Sequence, residues 1–213
     1  PNPDNKQAKP PRLSITQIEL ARCVPKPPTP FIKDGSKRVF NDVEHQLVAT
    51  WDHSKTQYVE RWDGPEGKKL YRPHHRGSNG VWILGGGELP WGVYCRTLAE
   101  LIKGKFVTEF EGEKCSEIAE AAGYIGISQP GHAHSVGQIV DRYRALVELG
   151  CAGIIYFADN DKTGDDKAER CREAAAQVSL PFIVIRAAAI SPGIKSKGSI
   201  DDVDDPADFI ARA

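Results

Sequence analysis

The second half of the chain alternates short apolar runs with amphipathic segments. The apolar runs have the length of buried strands and cover residues 106–110, 124–128, 153–158 and 181–186. Helix-like periodicity lies between and after them, over residues 113–122, 136–149, 165–178 and 206–213. Strands that alternate with helices through short connections pair in parallel. The pattern therefore predicts an α/β fold with a mostly parallel four-stranded sheet flanked by helices.

The first half has a different pattern, in which apolar and polar residues alternate over short runs. Residues 47–51 and 57–62 flank a polar turn and suit a β-hairpin, and residues 68–72 and 81–84 are further strand candidates. Together they predict a small antiparallel β unit. Four prolines between residues 25 and 30 favour a stiff linker before it. We therefore divide the chain into a flexible proline-rich lead (1–45), a small basic β-rich subdomain (46–104) and an α/β domain (105–213), for which the acidic residues described below imply a catalytic role.

The formal net charge of −1 hides a difference between the two halves. Residues 1–104 carry 16 Lys and Arg against 11 Asp and Glu, a net of +5. Residues 105–213 carry 12 against 18, a net of −6. A basic half suits contact with a polyanion, and an acidic half suits a metal site.

The composition is that of an ordinary soluble protein. No apolar run approaches the roughly 20 residues of a membrane span, and no signal peptide opens the chain. The five cysteines are scattered without a C-x-x-C pair, which favours free thiols in a reducing compartment. We therefore expect a cytoplasmic protein without a membrane partner. Because the chain lacks methionine and begins with proline, we also expect a fragment of a longer polypeptide.

Two of the predicted strands end in acidic residues. Asp159 and Asp161 follow the third apolar run, and Glu111 follows the first. The carboxyl ends of parallel strands meet at one edge of a sheet, where α/β proteins place their chemistry. We expect Asp159 and Asp161 to point the same way and to repel each other unless a divalent cation lies between them. Gly112 is expected to let the backbone turn closely behind Glu111.

A third acidic group follows the last predicted strand and consists of Asp201, Asp202, Asp204 and Asp205. A loop of this length can reach the same edge of the sheet. A glutamate, an aspartate pair and a further acidic loop on one rim are typical of a divalent-metal site that holds phosphate oxygens during an in-line displacement. Hard oxygen ligands favour Mg²⁺, with Mn²⁺ as the alternative.

Basic side chains of the β unit are candidates for nucleic-acid contact. They are Lys68, Lys69, Arg72 and Arg76, with Tyr71, His74 and His75 interleaved. Cations follow phosphates and aromatic rings stack on bases, which favours single-stranded nucleic acid. A solvated strand face would have the same composition.

Three further residues lie near the predicted acidic edge. Lys162 directly follows the second aspartate and is a candidate phosphate contact. His132 and His134 follow the second predicted strand. They are either polar surface residues or contacts for a phosphate or a metal.

The two acidic motifs resemble those of the TOPRIM domain. Glutamate-glycine ends one strand at Phe110-Glu-Gly-Glu-Lys114, and D-x-D-x-x-G ends another at Phe157-Ala-Asp-Asn-Asp-Lys-Thr-Gly164. Bacterial and phage primases, type IA and type II topoisomerases, OLD-family nucleases and recombination mediators share this pattern. The motifs are most similar to those of primases and primase-helicases from phages and mobile elements, and the resemblance covers roughly residues 46–210.

The resemblance implies a role for each acidic position. Glu111 would be the general base or a metal-linked acid, and Asp159 and Asp161 would bind magnesium. Asp202 or Asp205 would match the third acidic position.

The resemblance also implies an activity. The chain would be a magnesium-dependent primase fragment that makes oligonucleotide primers on single-stranded DNA from nucleoside triphosphates. Such an enzyme would serve the replication of a phage or mobile element with a helicase domain or protein as partner. It would work near the nucleoid of a bacterial or phage-infected cell.

Two features depart from the primase pattern. Many primases carry an acid four residues after the motif glutamate, where this chain has Cys115, and the N-terminal zinc ligands of primases are absent from the sequence. Two other interpretations of the same domain therefore stay open. One is a TOPRIM nuclease or topoisomerase-like enzyme that cleaves phosphodiesters, and the other is an inactive TOPRIM module that binds nucleic acid.

Two unrelated motifs also match the aspartate pair. D-x-D-x-T, formed with Thr163, is the signature of haloacid-dehalogenase-type phosphotransferases. In that fold the motif opens the domain, whereas only about fifty residues follow it here, and Glu111 would have no role. A calcium loop beginning at Asp159 fails at its twelfth position, which is Arg170 instead of the bidentate glutamate.

Overall fold

The computed structural model describes residues 35–87, 90–97, 99–130 and 135–213. These residues form two five-stranded sheets, one antiparallel and one mostly parallel. Most of the proline-rich lead assigned to 1–45 lies outside the described residues. The boundaries proposed between lead, β subdomain and catalytic domain stay predictions.

The antiparallel sheet holds its strands in chain order. They are β1 (Lys37–Phe40), β2 (Val43–Ser54), β3 (Gln57–Asp63), β4 (Lys69–Arg76) and β5 (Trp82–Leu84). The predicted hairpin corresponds to β2 and β3, and the two further strand candidates correspond to β4 and β5. The prediction of a small antiparallel unit is therefore confirmed.

Strand β1 lies inside the range predicted as a flexible lead. It pairs with β2 through a two-residue turn at Asn41 and Asp42, whose φ angles are +49° and +62°. Both angles lie in the left-handed region, which suits a hairpin turn and which Asn and Asp tolerate. The sequence gives no strand signal here because three of the four residues of β1 are exposed and show no apolar alternation.

The second sheet contains the strands that carry the acidic motifs. Its strands are β6 (Tyr94–Cys95), β7 (Phe106–Phe110), β8 (Gly126–Ser128), β9 (Gly153–Ala158) and β10 (Phe182–Arg186). Their spatial order is β10-β9-β7-β8-β6, and all run parallel except β6, which pairs antiparallel with β8. The α/β prediction is confirmed, but the sheet has five strands instead of four. Strand β6 has two residues and is too short to leave a sequence pattern.

The described residues include six α-helices. They are α1 (Ala99–Ile102), α2 (Glu113–Ala121), α3 (Val136–Glu148), α4 (Lys162–Gln177), α5 (Ala187–Ile190) and α6 (Pro206–Ala211). Helix α4 begins three residues earlier than predicted, because Asp161 caps its N-terminus. The four-residue α5 lies in the stretch after the last predicted strand, which was predicted to be a loop.

Helices cover both faces of the parallel sheet. One face packs against α3 and α4 and includes Val107 and Tyr156. The other packs against α2, α5 and α6 and includes Phe110 and Phe157. Because successive residues of a strand point to opposite faces, Glu109 shares the α3–α4 side with Val107.

Polar contacts join the antiparallel sheet to helix α2. His53 Nε2 lies 2.9 Å from Glu113 Oε1, and both side chains are buried. One turn later, Glu117 accepts hydrogen bonds from Trp51 Nε1 (3.2 Å) and from the Tyr94 hydroxyl (2.8 Å). These glutamates hold the antiparallel sheet against the helix that directly follows β7.

No described helix is both long and apolar enough to cross a membrane. The four described cysteines, Cys95, Cys115, Cys151 and Cys171, are free and buried, as their scattered positions predict. Cys23 lies outside the described residues.

Candidate active site

Glu111 and Asp159 meet at the carboxyl edge of the parallel sheet. Strands β7 and β9 are hydrogen-bonded neighbours, so the residues that follow them emerge side by side. The main-chain N–H of Asp159 donates a hydrogen bond to Glu111 Oε1 at 3.1 Å. The structure thus brings together two of the residues that the sequence predicts for the site.

The carboxyl group of Asp159 is electrostatically unfavourable as an anion. Burial and the nearby charge of Glu111 raise its pKa to about 7, and Asp161 makes a smaller contribution in the same direction. A hydrogen bond from Ser199 and the charge of Lys167 act against this rise. The sequence suggested that Asp161 is the main source of repulsion on Asp159. In the structure the main source is Glu111.

Asp161 has a structural contact that the sequence did not suggest. It is the N-cap of α4, and its Oδ1 accepts a hydrogen bond from the N–H of Gly164 at 2.8 Å. The positive end of the helix dipole also stabilises the negative charge of a capping aspartate. One oxygen is used in the cap, which leaves the second oxygen for a ligand.

The glycine that closes the motif makes room for these carboxylates. A Cβ at Gly164 would lie 2.6 Å from the main-chain oxygen of Asp159 and 2.6 Å from Glu111 Oε1. Gly112, to which we assigned the close turn, has φ −137° and would meet no atom within 4 Å. The position where only glycine fits is therefore Gly164, after β9, and not Gly112, after β7, as predicted.

Lys167 belongs to the site, although sequence reasoning missed it. Its buried Nζ donates a hydrogen bond to the main-chain oxygen of Glu111 at 3.2 Å and lies 3.9 Å from Glu111 Oε2. The signal in the sequence is a lysine at an apolar position of α4, one turn after Gly164 and one turn before Cys171. Such a position is costly for a cation without an acidic partner.

The third acidic group adjoins the same edge, because the main-chain N–H of Asn160 donates a hydrogen bond at 3.1 Å to the oxygen of Gly198, three residues before Asp201. Its carboxylates, however, already have partners. Asp201 Oδ2 lies 3.0 Å from Lys114 Nζ, and Asp202 pairs with Lys195 and accepts a hydrogen bond from Ser199 N–H at 3.2 Å.

Asp202 and Asp205 have surroundings unlike those of Asp159. Burial alone would raise the pKa of Asp202, but the hydrogen bonds from Lys195 and Ser199 outweigh burial and lower it. Asp205 caps α6 by accepting a hydrogen bond from Asp208 N–H at 3.0 Å. Neither makes a described contact with Glu111 or Asp159.

Cys115 lies at the position where the resemblance to primases implies a further acid. Burial first, and then repulsion from Asp201 and Asp159, raise the pKa of its thiol to about 12. The thiol is therefore neutral at physiological pH and does not replace a carboxylate as a hard metal ligand.

No group of three or more His, Cys, Asp and Glu side chains in the described part of the chain is arranged to hold a metal ion by itself. Glu111 and Asp159 nevertheless supply two adjacent carboxylates whose repulsion a cation would relieve. Mg²⁺ keeps several waters and is often held by one or two carboxylates together with substrate phosphates. The residues present fit that mode of binding and do not form a closed protein cage.

The two faces of the antiparallel sheet differ in what they offer a ligand. On one face, Arg72 lies over the Phe40 ring at 4.5 Å and neighbours the buried Glu60, which accepts a hydrogen bond from Trp62 Nε1 at 2.8 Å. The Arg72 side chain, which was predicted to contact nucleic acid, therefore already packs against other residues of the protein. Arg76 lies on the same face, is exposed, and donates to Gly80 O at 3.0 Å.

The other face is turned toward α2 and the acidic edge. Tyr71 is 45 % exposed and stacks on Trp51 with ring centroids 6.4 Å apart. Trp51 in turn donates a hydrogen bond to Glu117, which places the Tyr71 ring close to α2, and burial raises the pKa of Tyr71. The adjacent Lys69 is exposed and on the same face.

Two of the remaining predicted contacts, Lys68 and Lys162, lie at the surface. Lys68 is exposed with Glu66 at 4.0 Å. Lys162 is exposed in the first turn of α4 and pairs with Asp166 at 2.8 Å. His132 and His134 lie outside the described residues.

No protein-family model matches the chain, and no curated protein matches it. Among solved structures, the chain is similar to the primase fragment of the bacteriophage T7 primase-helicase protein, with a TM-score of 0.41 and 16% identity over 76% of this chain and 59% of that chain. It is also similar to a DNA primase domain from Pseudomonas aeruginosa, with a TM-score of 0.38 and 16% identity over 72% of this chain and 49% of that one.

A third similar structure is bacteriophage T7 lagging-strand DNA polymerase interacting with primase domains bound to an RNA/DNA hybrid and dTTP. Its TM-score is 0.40, with 16% identity over 70% of this chain and 68% of that chain. The chain thus spans about three-fifths of the T7 primase fragment and half of the bacterial primase domain. Similarity at this level assigns no function, which depends on the geometry of the site.

Proposed function

We propose that this chain is the catalytic unit of a magnesium-dependent primase of the TOPRIM type. It would make oligonucleotide primers on single-stranded DNA during replication of a phage or mobile element. The observation that supports this most is the pair Glu111 and Asp159, held in contact at the carboxyl edge of a parallel sheet. The antiparallel sheet turns the face with Tyr71 and Lys69 toward α2, the helix that begins two residues after Glu111.

Glu111, Asp159 and Asp161 would hold the metal in this proposal. Magnesium bound there with substrate phosphates supplies positive charge against the negative charge that develops during phosphoryl transfer. Both carboxylate oxygens of Glu111 are already oriented, one by Asp159 N–H and one by Lys167. This fixed orientation favours Glu111 as a metal ligand over a mobile general base.

Asp202 and Asp205 would have structural roles instead. Asp202 is neutralised by Lys195, and Asp205 stabilises the start of α6. This narrows the ligand set that the resemblance implied.

Tyr71 and Lys69 would carry the template strand. A half-exposed ring offers a stacking surface for a base, and the neighbouring lysine offers a charge for a phosphate. Lys162 would contact a nucleotide phosphate, because a surface pair such as that with Asp166 is weak and is readily exchanged. A helicase domain or protein would be the partner that delivers the strand.

Replacement of Asp161 by asparagine tests the activity. Asparagine caps helices as well as aspartate does, so Asp161→Asn keeps the start of α4 and removes only the charge. Primer synthesis from nucleoside triphosphates on single-stranded DNA with Mg²⁺ should fall by at least about 100-fold. Thermal melting should show an unchanged fold, and priming at the wild-type rate would refute the assignment.

Two substitutions on the antiparallel sheet test the proposed template face. Tyr71→Ala should weaken binding of single-stranded DNA by about tenfold, the loss expected for one stacked base. Arg76→Ala, on the opposite face, should weaken it by less than about twofold. If fluorescence anisotropy shows the reverse order, the strand binds the Arg72 and Arg76 face.

An inactive nucleic-acid-binding module is the second candidate. The neutral thiol of Cys115 and the lack of a three-residue metal cluster in the described chain favour it. Calorimetric titration with Mg²⁺ in the presence of a nucleoside triphosphate separates the two once the heat of Mg²⁺ binding to the nucleotide alone is subtracted, because the inactive module should add no metal binding at millimolar concentration.

The phosphodiester-cleaving alternative would use the same acids. Incubation with labelled DNA, with and without nucleoside triphosphates, distinguishes it from a primase. Shortening of the DNA without nucleotides indicates a nuclease, and new nucleotide-dependent products indicate a primase.

A further inference from the structure

Helix α4 places one row of residues along strand β7. Gly164, Lys167 and Cys171 are three and four residues apart and therefore lie on one face of the helix. Gly164 packs on the Glu111 carboxylate, and Cys171 Sγ lies 3.9 Å from Glu109 Oε1. Along the helix, Lys167 lies between Gly164 and Cys171, and therefore between the residues that contact Glu111 and Glu109.

The ammonium group of Lys167 is the centre of a buried acidic cluster. Its side chain is 5% exposed, and it contacts both the main chain and the carboxylate of Glu111. The same Glu111 carboxylate accepts a hydrogen bond from the main-chain N–H of Asp159 at 3.1 Å. Glu111 therefore has a buried cation on one side and the aspartate of the site on the other.

Glu109 has its own hydrogen bonds below the site. Its Oε2 accepts a hydrogen bond from the Tyr143 hydroxyl at 2.7 Å, and the charge of the buried Arg142 also acts on it. The lower end of the cluster thus has a hydrogen-bond donor and a buried cation of its own. The charge of Lys167 is left to act mainly at its upper end, where it approaches Glu111.

We propose that Lys167 is a resident counter-cation of the metal centre. It holds Glu111 beside Asp159 when no divalent metal is bound, and it weakens the affinity of the site for free Mg²⁺. Metal would then bind firmly only together with the phosphates of a nucleotide. This inference rests on the proposed function for the identity of the metal and nucleotide, but the effect of Lys167 on the empty site does not depend on it.

Lys167→Met separates charge from shape, because methionine has a similar length and no charge. In EDTA, the variant should melt about 5 °C below the wild type, since Glu111 loses its only described cationic partner. Calorimetry without nucleotide should show about tenfold tighter Mg²⁺ binding, because a positive charge next to the metal has been removed. Addition of Mg²⁺ should therefore raise the melting temperature of the variant more than that of the wild type.

Two variants serve as controls. Arg172→Met makes the same charge change on the same helix, but Arg172 is exposed and pairs with Glu169. Its Mg²⁺ affinity should stay within about twofold of the wild type, since exposed charges are screened. Lys167→Arg keeps the charge and should keep the weak Mg²⁺ affinity even if the larger group lowers the melting temperature.

Other outcomes would overturn the inference. Unchanged or weaker Mg²⁺ binding by Lys167→Met contradicts a counter-cation. If the variant is unfolded in EDTA, millimolar Mg²⁺ should restore the fold, and failure to restore it also contradicts the proposal. If the wild type binds no Mg²⁺ even with nucleotide, the proposed function fails, whereas the melting temperatures in EDTA still test whether Lys167 neutralises the cluster.

Discussion

The carboxylates that end β7 and β9 and those of the loop 201–205 lie close together but have opposite electrostatic surroundings. Burial and Glu111 raise the pKa of Asp159 to about 7. The hydrogen bonds from Lys195 and Ser199 outweigh burial at Asp202 and lower its pKa. A carboxylate whose charge destabilises the folded protein is a better candidate metal ligand than a carboxylate that already has a cationic partner in the protein.

Catalysis should show the largest difference between the two groups. Asp159→Asn should reduce magnesium-dependent primer synthesis by at least about 100-fold, because a metal ligand is lost. Asp202→Asn should reduce it by less than about threefold, since only a surface pair with Lys195 is lost. Steady-state primer synthesis measures both. If both substitutions reduce primer synthesis equally, Asp202 is a metal ligand as well, and the proposed difference between the two acidic groups is wrong.

Packing around the first group gives the next largest effect. Gly164→Ala should destabilise the protein by about 3 kcal/mol, because the new methyl group would overlap Asp159 O and Glu111 Oε1. Gly112→Ala is the matched control, since its Cβ meets no atom within 4 Å. Urea denaturation measures both changes. A Gly164→Ala protein as stable as wild type would show that the helix can move away from Glu111.

The dependence of stability on pH should have opposite signs at Asp159 and Asp202. A raised pKa at Asp159 means that the folded state binds this proton more tightly than the unfolded state. Its unfavourable contribution therefore appears as pH rises above about 4 and is complete above about 7. In EDTA at pH 8, Asp159→Asn should stabilise the protein by about 2 kcal/mol, and at pH 4 the gain should nearly disappear.

Asp202 provides the control for that measurement. Its lowered pKa means that its stabilisation is present above the unfolded pKa and is lost as pH falls through the folded pKa. Asp202→Asn should therefore destabilise the protein at pH 8, by under about 1 kcal/mol because solvent screens the pair with Lys195. Urea titrations at both pH values test the signs. If both substitutions stabilise the protein at pH 8, the charges of Asp159 and Asp202 both destabilise the folded state, and the proposed difference is wrong.

The smallest effect concerns the cap of α6. Asp205→Ala should cost about 1 kcal/mol, because the N–H of Asp208 loses its acceptor, whereas Asp205→Asn should be nearly neutral. Neither change should alter primer synthesis by more than about twofold. A selective loss of activity in Asp205→Asn would place Asp205 among the metal ligands.

Much of the fold followed from the sequence, because periodic segments are local. The four parallel strands, the hairpin of β2 and β3, and the long helices were predicted from apolar spacing. Strand β1 and the two-residue β6 were missed, since an exposed or very short strand depends on its pairing partner for its structure. The start of α4 was misplaced because Asp161 was interpreted only as a ligand and not also as a cap.

The sequence alone determined which acids emerge at the carboxyl edge, because Glu111 and Asp159 directly follow apolar strands. It did not determine how their charges are balanced. Only the tertiary structure places Lys167 against Glu111, assigns the close contact to Gly164 and pairs Asp202 with Lys195. Each depends on residues far apart in the chain, so distance and burial decide which of several similar carboxylates can take part in chemistry.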